Sequence, residues 1–316
     1  MKILSEISGF LSNKIIVFFI ALISISSPTF SCEICGCSGN GYHFGILPQF
    51  RKNVVGLRHT YRTFSSQHLI SEQLMIKGNT STEEFNSTEL WGRFYAGKKF
   101  QLFAFVPYNH FKQIETGVTT IEQGIGDITL AANYTIFNTA DDLSKDFKQT
   151  VLLGGGVKLP TGKFIMTKNG DELNPNMNSG TGSVDFLTNV IYTCRYKGIG
   201  INTDFNYRIN NTNSDKFQYG NRITTSAKLF YWKNINSKVS ILPNAGILFE
   251  NLHQDKHHKE IQKFSGGTVT FLTGGLEVYA GKVNLGVTMN HPMSQNLSKG
   301  LVQLNNQWTA SVNFMF

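Results

Sequence analysis

From about residue 53 to the end, apolar and polar residues alternate almost one by one, and the polar row is too polar to pack against anything but water. Ile128, Leu130, Ala132, Tyr134 and Ile136 interleave with Asp127, Thr129, Ala131, Asn133 and Thr135. Ile201, Phe205, Tyr207 and Ile209 oppose Asn202, Asp204, Asn206, Arg208 and Asn210. Val283, Leu285, Val287 and Met289 oppose Asn284, Gly286, Thr288 and Asn290. A period of two sends successive side chains to opposite faces of a strand. A face carrying Asn, Asp and Arg is unsuited to a sandwich core, and an apolar row this long is unsuited to water. Lipid outside and water inside satisfies both, and a closed barrel leaves no unpaired sheet edge in lipid. The fold class expected is all-β: a transmembrane antiparallel up-and-down barrel.

The final residues, Trp308 to Phe316, fit that expectation. Trp308, Ala310, Val312, Phe314 and Phe316 share one face, with Gln307, Thr309, Ser311 and Asn313 on the other. An aromatic closing strand is what an outer-membrane barrel sets at the lipid interface. Counting alternating runs predicts about twelve strands, near 53–64, 85–96, 100–111, 126–137, 150–160, 183–195, 199–210, 220–232, 237–250, 267–280, 282–292 and 303–316. The connections alternate in length. Gly97-Lys-Lys, Lys197-Gly198, Lys233-Asn-Ile-Asn and Gly281 read as tight periplasmic turns. Segments 65–84, 112–125, 161–182, 211–219, 251–266 and 293–302 read as long polar outer loops. Segment 138–149 is long where a short turn belongs, and a small periplasmic helix would explain it. Leu102-Phe-Ala-Phe-Val106 is apolar on both faces, which leaves its orientation open.

The amino-terminus reads as an export signal. Lys2 and Lys14 precede Ile15-Ile-Val-Phe-Phe-Ile-Ala-Leu-Ile, and small residues at Thr29 and Ser31 suit cleavage before Cys32. The apolar run is shorter than the roughly 20 residues that a transmembrane helix needs. The organisation expected is a signal peptide over 1–31, a periplasmic segment or plug over 32–52, and the barrel over 53–316. Lys and Arg exceed Asp and Glu by eight, spread along the chain. That is no nucleic-acid footprint.

Cys32, Cys35 and Cys37 stand close enough to ligate a soft metal such as copper(I) or zinc, with His43 as a fourth ligand. An oxidising compartment favours a disulfide between two of them instead, and lipidation of Cys32 is a third reading. His253, His257 and His258 would share a face only on a helical turn, and a solvated loop is the plainer reading. Gly154-Gly-Gly-Val-Lys-Leu-Pro-Thr-Gly-Lys163 lacks the spacing and the Ser or Thr of a phosphate loop. Its glycines suit a curved strand or room in the lumen, and Pro160-Thr-Gly162 ends the strand. His59 falls on the lipid side without an outward Ser among the neighbours expected for it, so it belongs to an aromatic belt rather than a lipid hydrolase.

By parity, Arg58, Arg62, Glu89, Arg93, Asp127, Lys158, Asp185, Asp204, Arg208, Arg222, Lys228, Glu250 and Glu277 point inward. Such charges either pair and stiffen a narrow barrel or set a field that selects solutes. Arg58, Arg62 and Arg93 would form a cationic ladder for anionic or aromatic solutes unless an acid opposes them.

Three stretches carry a resemblance to a known family: Gly126-Asp-Ile-Thr-Leu-Ala-Ala-Asn-Tyr134, Lys158-Leu-Pro-Thr-Gly162 and Gly180-Thr-Gly-Ser-Val-Asp-Phe186. Val106-Pro107-Tyr108 fits beside them. They resemble the outer-membrane transporters of the "Putative MetA-pathway of phenol degradation" family. Cys32-Glu-Ile-Cys-Gly-Cys37 with Gly45-Ile-Leu-Pro-Gln-Phe50 resembles a Bacteroidetes-type subgroup. The resemblance implies an outer-membrane channel or transporter in a Gram-negative bacterium, passing a small, hydrophobic or aromatic solute, with no catalytic residues and no cofactor to carry over. Partners expected are membrane lipid, the barrel-assembly machinery and the solute. The alternative is a non-conducting barrel that binds a surface or a metal through its outer loops or the cysteine cluster.

Overall fold

The computed structural model describes residues 52–71, 76–140, 146–168 and 170–316. The expected signal peptide, the Cys32, Cys35 and Cys37 cluster, and the small helix expected within 138–149 lie wholly or mainly outside the described residues. Among the described residues, fourteen strand segments of three residues or more build the wall: β1 (Val54–Ser71), β2 (Ile76–Ala96), β3 (Phe100–Glu115), β4 (Val118–Ile125), β5 (Thr129–Asn138), β6 (Phe147–Lys158), β7 (Asp185–Tyr196), β8 (Ile199–Ile209), β9 (Arg222–Tyr231), β10 (Val239–Leu252), β11 (Gly267–Ala280), β12 (Val283–Leu297), β13 (Val302–Leu304) and β14 (Gln307–Met315). β4 with β5 and β13 with β14 each make one interrupted stave, so the wall has twelve. Neighbouring strands run antiparallel, and β14 pairs with β1 from Val54↔Met315 to Tyr61↔Trp308. That pairing closes the sheet into a barrel and removes its edges.

The alternation does what lipid requires. Leu57, Leu102, Leu130, Phe186, Leu229 and Val287 stand exposed on the outer face. Asn133, Asp185, Asn202 and Thr273, on the other parity, are buried inside. Tight turns use positive φ where an L-residue is least comfortable: Gly97 at 71° and Gly281 at 60°. Leu102 faces out while Phe103 and Phe105 point inward and stack with ring centroids 6.2 Å apart.

Two predicted loops are strands instead. Residues 65–71 and 76–84 continue the β1–β2 hairpin, whose pairing runs from Val54↔Arg93 to Ser71↔Ile76 with register shifts after Gln67. Residues 112–125 form the β3–β4 hairpin, from Tyr108↔Ile125 to Glu115↔Val118, turning at Thr116 and Gly117. Above the lipid both faces of a strand are wet, so Ser65-Ser66-Gln67-His68 and Thr80-Ser81-Thr82-Glu83-Glu84 lose the apolar row by which sequence reveals a strand. Their backbone hydrogen bonds remain. Likewise 251–266 holds short strands, and Lys256–His257 pairs with Phe217–Gln218. The helical turn that would align His253 with His257 does not form.

Candidate functional site: a segment folded across the lumen

Residues 159–184 do not project outward as the loop pattern suggests. Their central part folds into the bore, and Leu173, Asn174, Asn176, Met177 and Asn178 are buried there, while Lys163, Thr167 and Lys168 stay exposed. The segment leaves the wall between β6 and β7. Leu173 and Met177 then pack in one apolar cluster with Phe64, Phe85 and Phe111 of β1 to β3 and with Leu248, Val269, Phe271 and Leu297 of β10 to β12. Those strands lie on the far arc of the barrel, so the segment crosses the lumen. At its tip the Asn174 side chain caps a single 3-10 turn, Pro175–Met177. Tyr219 donates its hydroxyl to the Pro175 carbonyl at 2.6 Å, and Asn109 Nδ2 donates to the Ser179 carbonyl at 3.0 Å.

Local chemistry explains the inward turn. Thr161 Oγ1 accepts from Ile128 N and donates to the Gly126 carbonyl, tying the end of β6 to the break between β4 and β5. Gly162 and Gly180 meet backbone to backbone. A Cβ on Gly180 would lie 2.5 Å from the Gly162 carbonyl carbon and oxygen, and one on Gly162 would lie 2.7 Å from Gly180 Cα. Beneath this contact sits Lys158, its Nζ 2.6 Å from Asp127 Oδ2 and 2.6 Å from Asp185 Oδ2. The Asp127 contact is a hydrogen bond; the Asp185 contact is ionic and lacks hydrogen-bond alignment. Lys158 also donates to Thr181 Oγ1. Asp127 further accepts from Gly162 N at 3.0 Å and Thr181 N at 2.9 Å, while Asp185 accepts from Ser183 Oγ and Asn211 N. Side chains of Lys158, Asp127 and Asp185 are 4%, 5% and 0% exposed, so this is a buried latch. From the sequence its three charges fall separately in the lumen; their convergence, with Thr181, Ser183 and Asn109, is visible only in the fold. The three motifs that share the family resemblance supply most of the latch.

The other inward charges are distributed as follows. Arg58 forms an ion pair with Glu89, its direct cross-strand neighbour, and its guanidinium lies 5.9 Å from the Trp91 and Phe105 ring centroids. Arg62 is buried opposite Phe85. Arg93 donates to the Lys52 carbonyl at 3.1 Å and covers the Tyr95 ring. The cationic ladder is therefore corrected to a column whose middle rung is neutralised by Glu89. Asp204 accepts from Ser226 at 2.6 Å, and Arg222 pairs with Glu250 at 2.6 Å. Arg208 lies directly opposite Arg222. On the outer face His59 Nδ1 sits 2.9 Å from Thr88 Oγ1 and its ring 5.5 Å from Trp308, in an aromatic group with Tyr61. Among the described residues no group of three or more His, Cys, Asp or Glu is placed to hold a metal ion.

Below the latch a narrow gap of about 30 Å³ remains in the lumen, lined by Phe105, Thr129, Ala131, Leu187, Asn189, Asn206, Arg208, Arg222 and Thr224, among others. Glycines make room beside it. A Cβ on Gly156 would lie 2.9 Å from Leu187 Cδ1, and one on Gly154 would strike Asn133 Oδ1 at 1.8 Å.

The fold is similar to that of solved outer-membrane barrels. The COG4313 outer membrane channel from Pseudomonas putida F1 matches with a TM-score of 0.59 at 12% identity, over 88% of this chain and 100% of its own. The β domain of the Bordetella autotransporter Brka matches with a TM-score of 0.50 at 10% identity, over 84% of this chain and 100% of its own. No curated protein matches the sequence. Residues 73–293 match the family model described as "Putative MetA-pathway of phenol degradation".

Proposed function

The chain belongs to the "Putative MetA-pathway of phenol degradation" family, and with that as premise we propose that it is an outer-membrane channel of a Gram-negative bacterium, passing a small solute with an apolar or aromatic body. The observation that carries the reading is the segment 159–184, folded across a lumen whose wall carries both apolar and charged side chains. A barrel built only as an anchor gains nothing from a latched crossbar. A channel gains a constriction that sets size and delays ions. Phe64, Phe85, Phe111 and Phe271 offer apolar contact at the outer end, and Val54, Phe230, Leu242, Tyr279 and Met315 offer it at the end with the short turns. Arg58, Arg62, Arg93, Asp127, Lys158, Asp185, Asp204 and Arg208 divide, in this reading, into wall-stiffening pairs and selectivity groups.

One observation favours the rival reading of a barrel that passes nothing: inward side chains such as Glu83, Asn133 and Asp185 are fully buried. Single-channel recording of the refolded protein in a planar bilayer, with and without residues 32–52, separates the two. Steady ohmic steps from the intact protein are expected. Silence from both forms would overturn the channel reading and leave surface or metal binding.

A further inference from the structure

At the end of the barrel with the short turns, three neighbouring strands set a basic corner against the lipid. Ile199 of β8 pairs with Tyr196 of β7 on one side and with Tyr231 of β9 on the other, so the three form one row. All three are exposed on the outer face. The next row toward the membrane centre, Cys194, Ile201 and Leu229, is apolar. Such a row of phenol rings marks the depth at which a barrel wall passes from acyl chains to headgroups.

Two exposed lysines stand just beyond that row. Lys197 and Gly198 make the turn between β7 and β8, and Lys233 follows Tyr231 by two, on the same parity. The two turns are fastened together. Trp232 N donates to the Gly198 carbonyl at 2.6 Å, and the Trp232 indole donates to Asn234 and packs against Tyr279 with ring centroids 5.0 Å apart. A Cβ on Gly198 would lie 2.8 Å from the Tyr231 ring, so the corner is close-packed. Lys197 takes φ 53°, the left-handed conformation that Gly97 and Gly281 supply in their own turns. Its ammonium folds back to 5.4 Å from the centroid of the Tyr196 ring. Asp146 gives Lys197 N only its backbone carbonyl, at 3.2 Å, and among the described residues no carboxylate pairs with either lysine. Two like charges on one rigid corner, with lipid-facing rings beside them, are complementary to an anion that carries apolar chains.

From this corner we propose that the barrel holds an anionic phospholipid of the periplasmic leaflet. Its phosphodiester lies between the Lys197 and Lys233 ammoniums, and its acyl chains run along Ile199, Ile201 and Leu229. Ammonium and phosphate form charge-assisted hydrogen bonds, and the two tyrosine rings flank the glycerol. The proposal depends on the barrel's place in the membrane and not on conduction.

The test is lipid retention by the refolded full chain. The protein in detergent is mixed with equimolar phosphatidylglycerol and phosphatidylcholine, and the lipids that stay bound are counted by native mass spectrometry. Phosphatidylglycerol is expected to be retained at least fivefold over phosphatidylcholine. Lys197→Gln with Lys233→Gln should bring the two lipids within twofold, while Lys197→Arg with Lys233→Arg keeps the preference. Lys98→Gln with Lys282→Gln, the same charge change in other short turns, should leave it unchanged. Should the first pair fail to fold, as read from its gel mobility with and without heating, each lysine is changed singly, and each single variant should lose at least half of the preference. Equal retention of the two lipids by the parent protein overturns the proposal, as does a preference that survives in folded Lys197→Gln with Lys233→Gln. A preference lost equally in Lys98→Gln with Lys282→Gln also overturns it, by making the effect one of net charge. Glycerol phosphate at the lipid's concentration should displace nothing; displacement would assign the corner to a free phosphate and overturn the lipid. The channel reading stands or falls by conduction alone.

Discussion

Replacing Lys158 by Met removes the only cation in contact with Asp127 and Asp185 among the described residues, and its cost can be traced to a particular motion. Both carboxylates are at most 5% exposed, and without Lys158 they keep only neutral donors: Gly162 N, Thr181 N and Oγ1, Ser183 Oγ and Asn211 N. Removing one member of a buried ion pair costs about 3–5 kcal/mol. The barrel wall is held by its own hydrogen-bonded ladders, so the cost falls on the docking of 159–184. Since about 1.4 kcal/mol is a factor of ten, the docked-to-undocked ratio should fall roughly 10²- to 4 × 10³-fold. Lys163 and Lys168 are exposed on the segment and give trypsin its cleavage sites. Where opening and closing are fast, the rate of cutting follows the open population. Lys158→Met should therefore be cut roughly 10²- to 4 × 10³-fold faster than the parent protein, and its single-channel steps should grow. Adding Asp127→Asn and Asp185→Asn removes the stranded charges and should restore most of the protection. If folded Lys158→Met is cut at the parent rate with unchanged conductance, the latch does not hold the segment and the reasoning fails.

Other outcomes follow from single groups. Gly180→Ala sets a Cβ 2.5 Å from the Gly162 backbone, which cannot rotate away; about 1–3 kcal/mol of docking free energy should be lost, read by the same trypsin assay. Asp255, buried in the outer connection after β10, accepts the Gly220 N–H at 2.6 Å, and burial pushes its carboxyl up to about 7. A carboxyl raised on folding gives stability that is full below its unfolded value near 3.9 and is lost as pH rises through about 7. Hydrogen exchange at the Gly220 amide, corrected for intrinsic rates, should show protection falling across that window, and Asp255→Asn should flatten the profile. For the amino-terminal cluster the oxidising compartment favours a disulfide among Cys32, Cys35 and Cys37. Titration of the unfolded, unreduced chain should then find two free thiols, Cys194 among them, and four thiols with a bound zinc would reverse the assignment.

The wall was legible in the sequence because lipid imposes a strict alternation and tight turns fix register. Ala96↔Phe100, Tyr196↔Ile199 and Ala280↔Val283 can be counted across their turns. Pairing across the outer connections cannot be counted, since their length leaves the register open. That is why Arg58 read as a ladder rung while its partner Glu89 went unrecognised. The outer hairpins were misread for a related reason: beyond the lipid nothing enforces an apolar face. The crossbar was hidden more deeply. Segment 161–182 is polar and rich in Gly and Asn, as an exposed loop would be, and those residues serve instead to bring backbones together and satisfy one another inside the lumen. Paired glycines at 162 and 180, each beside a stretch that also carries an inward charge, were the one available hint.

The seam between the first and last strands has a consequence for how the molecule is made. Asn53 and Phe316 exchange two backbone hydrogen bonds of 3.0 Å, and above them β14 zips onto β1. Residues from opposite ends of the chain must meet before the sheet has no edges, and so distant a contact forms late. Until β14 meets β1, the sheet carries two open edges and an apolar outer face, the combination most prone to join with other chains. Closure is thus a late event of folding, and loss of the residues of β14 that pair with β1 would strand an open sheet instead of yielding a slightly smaller barrel.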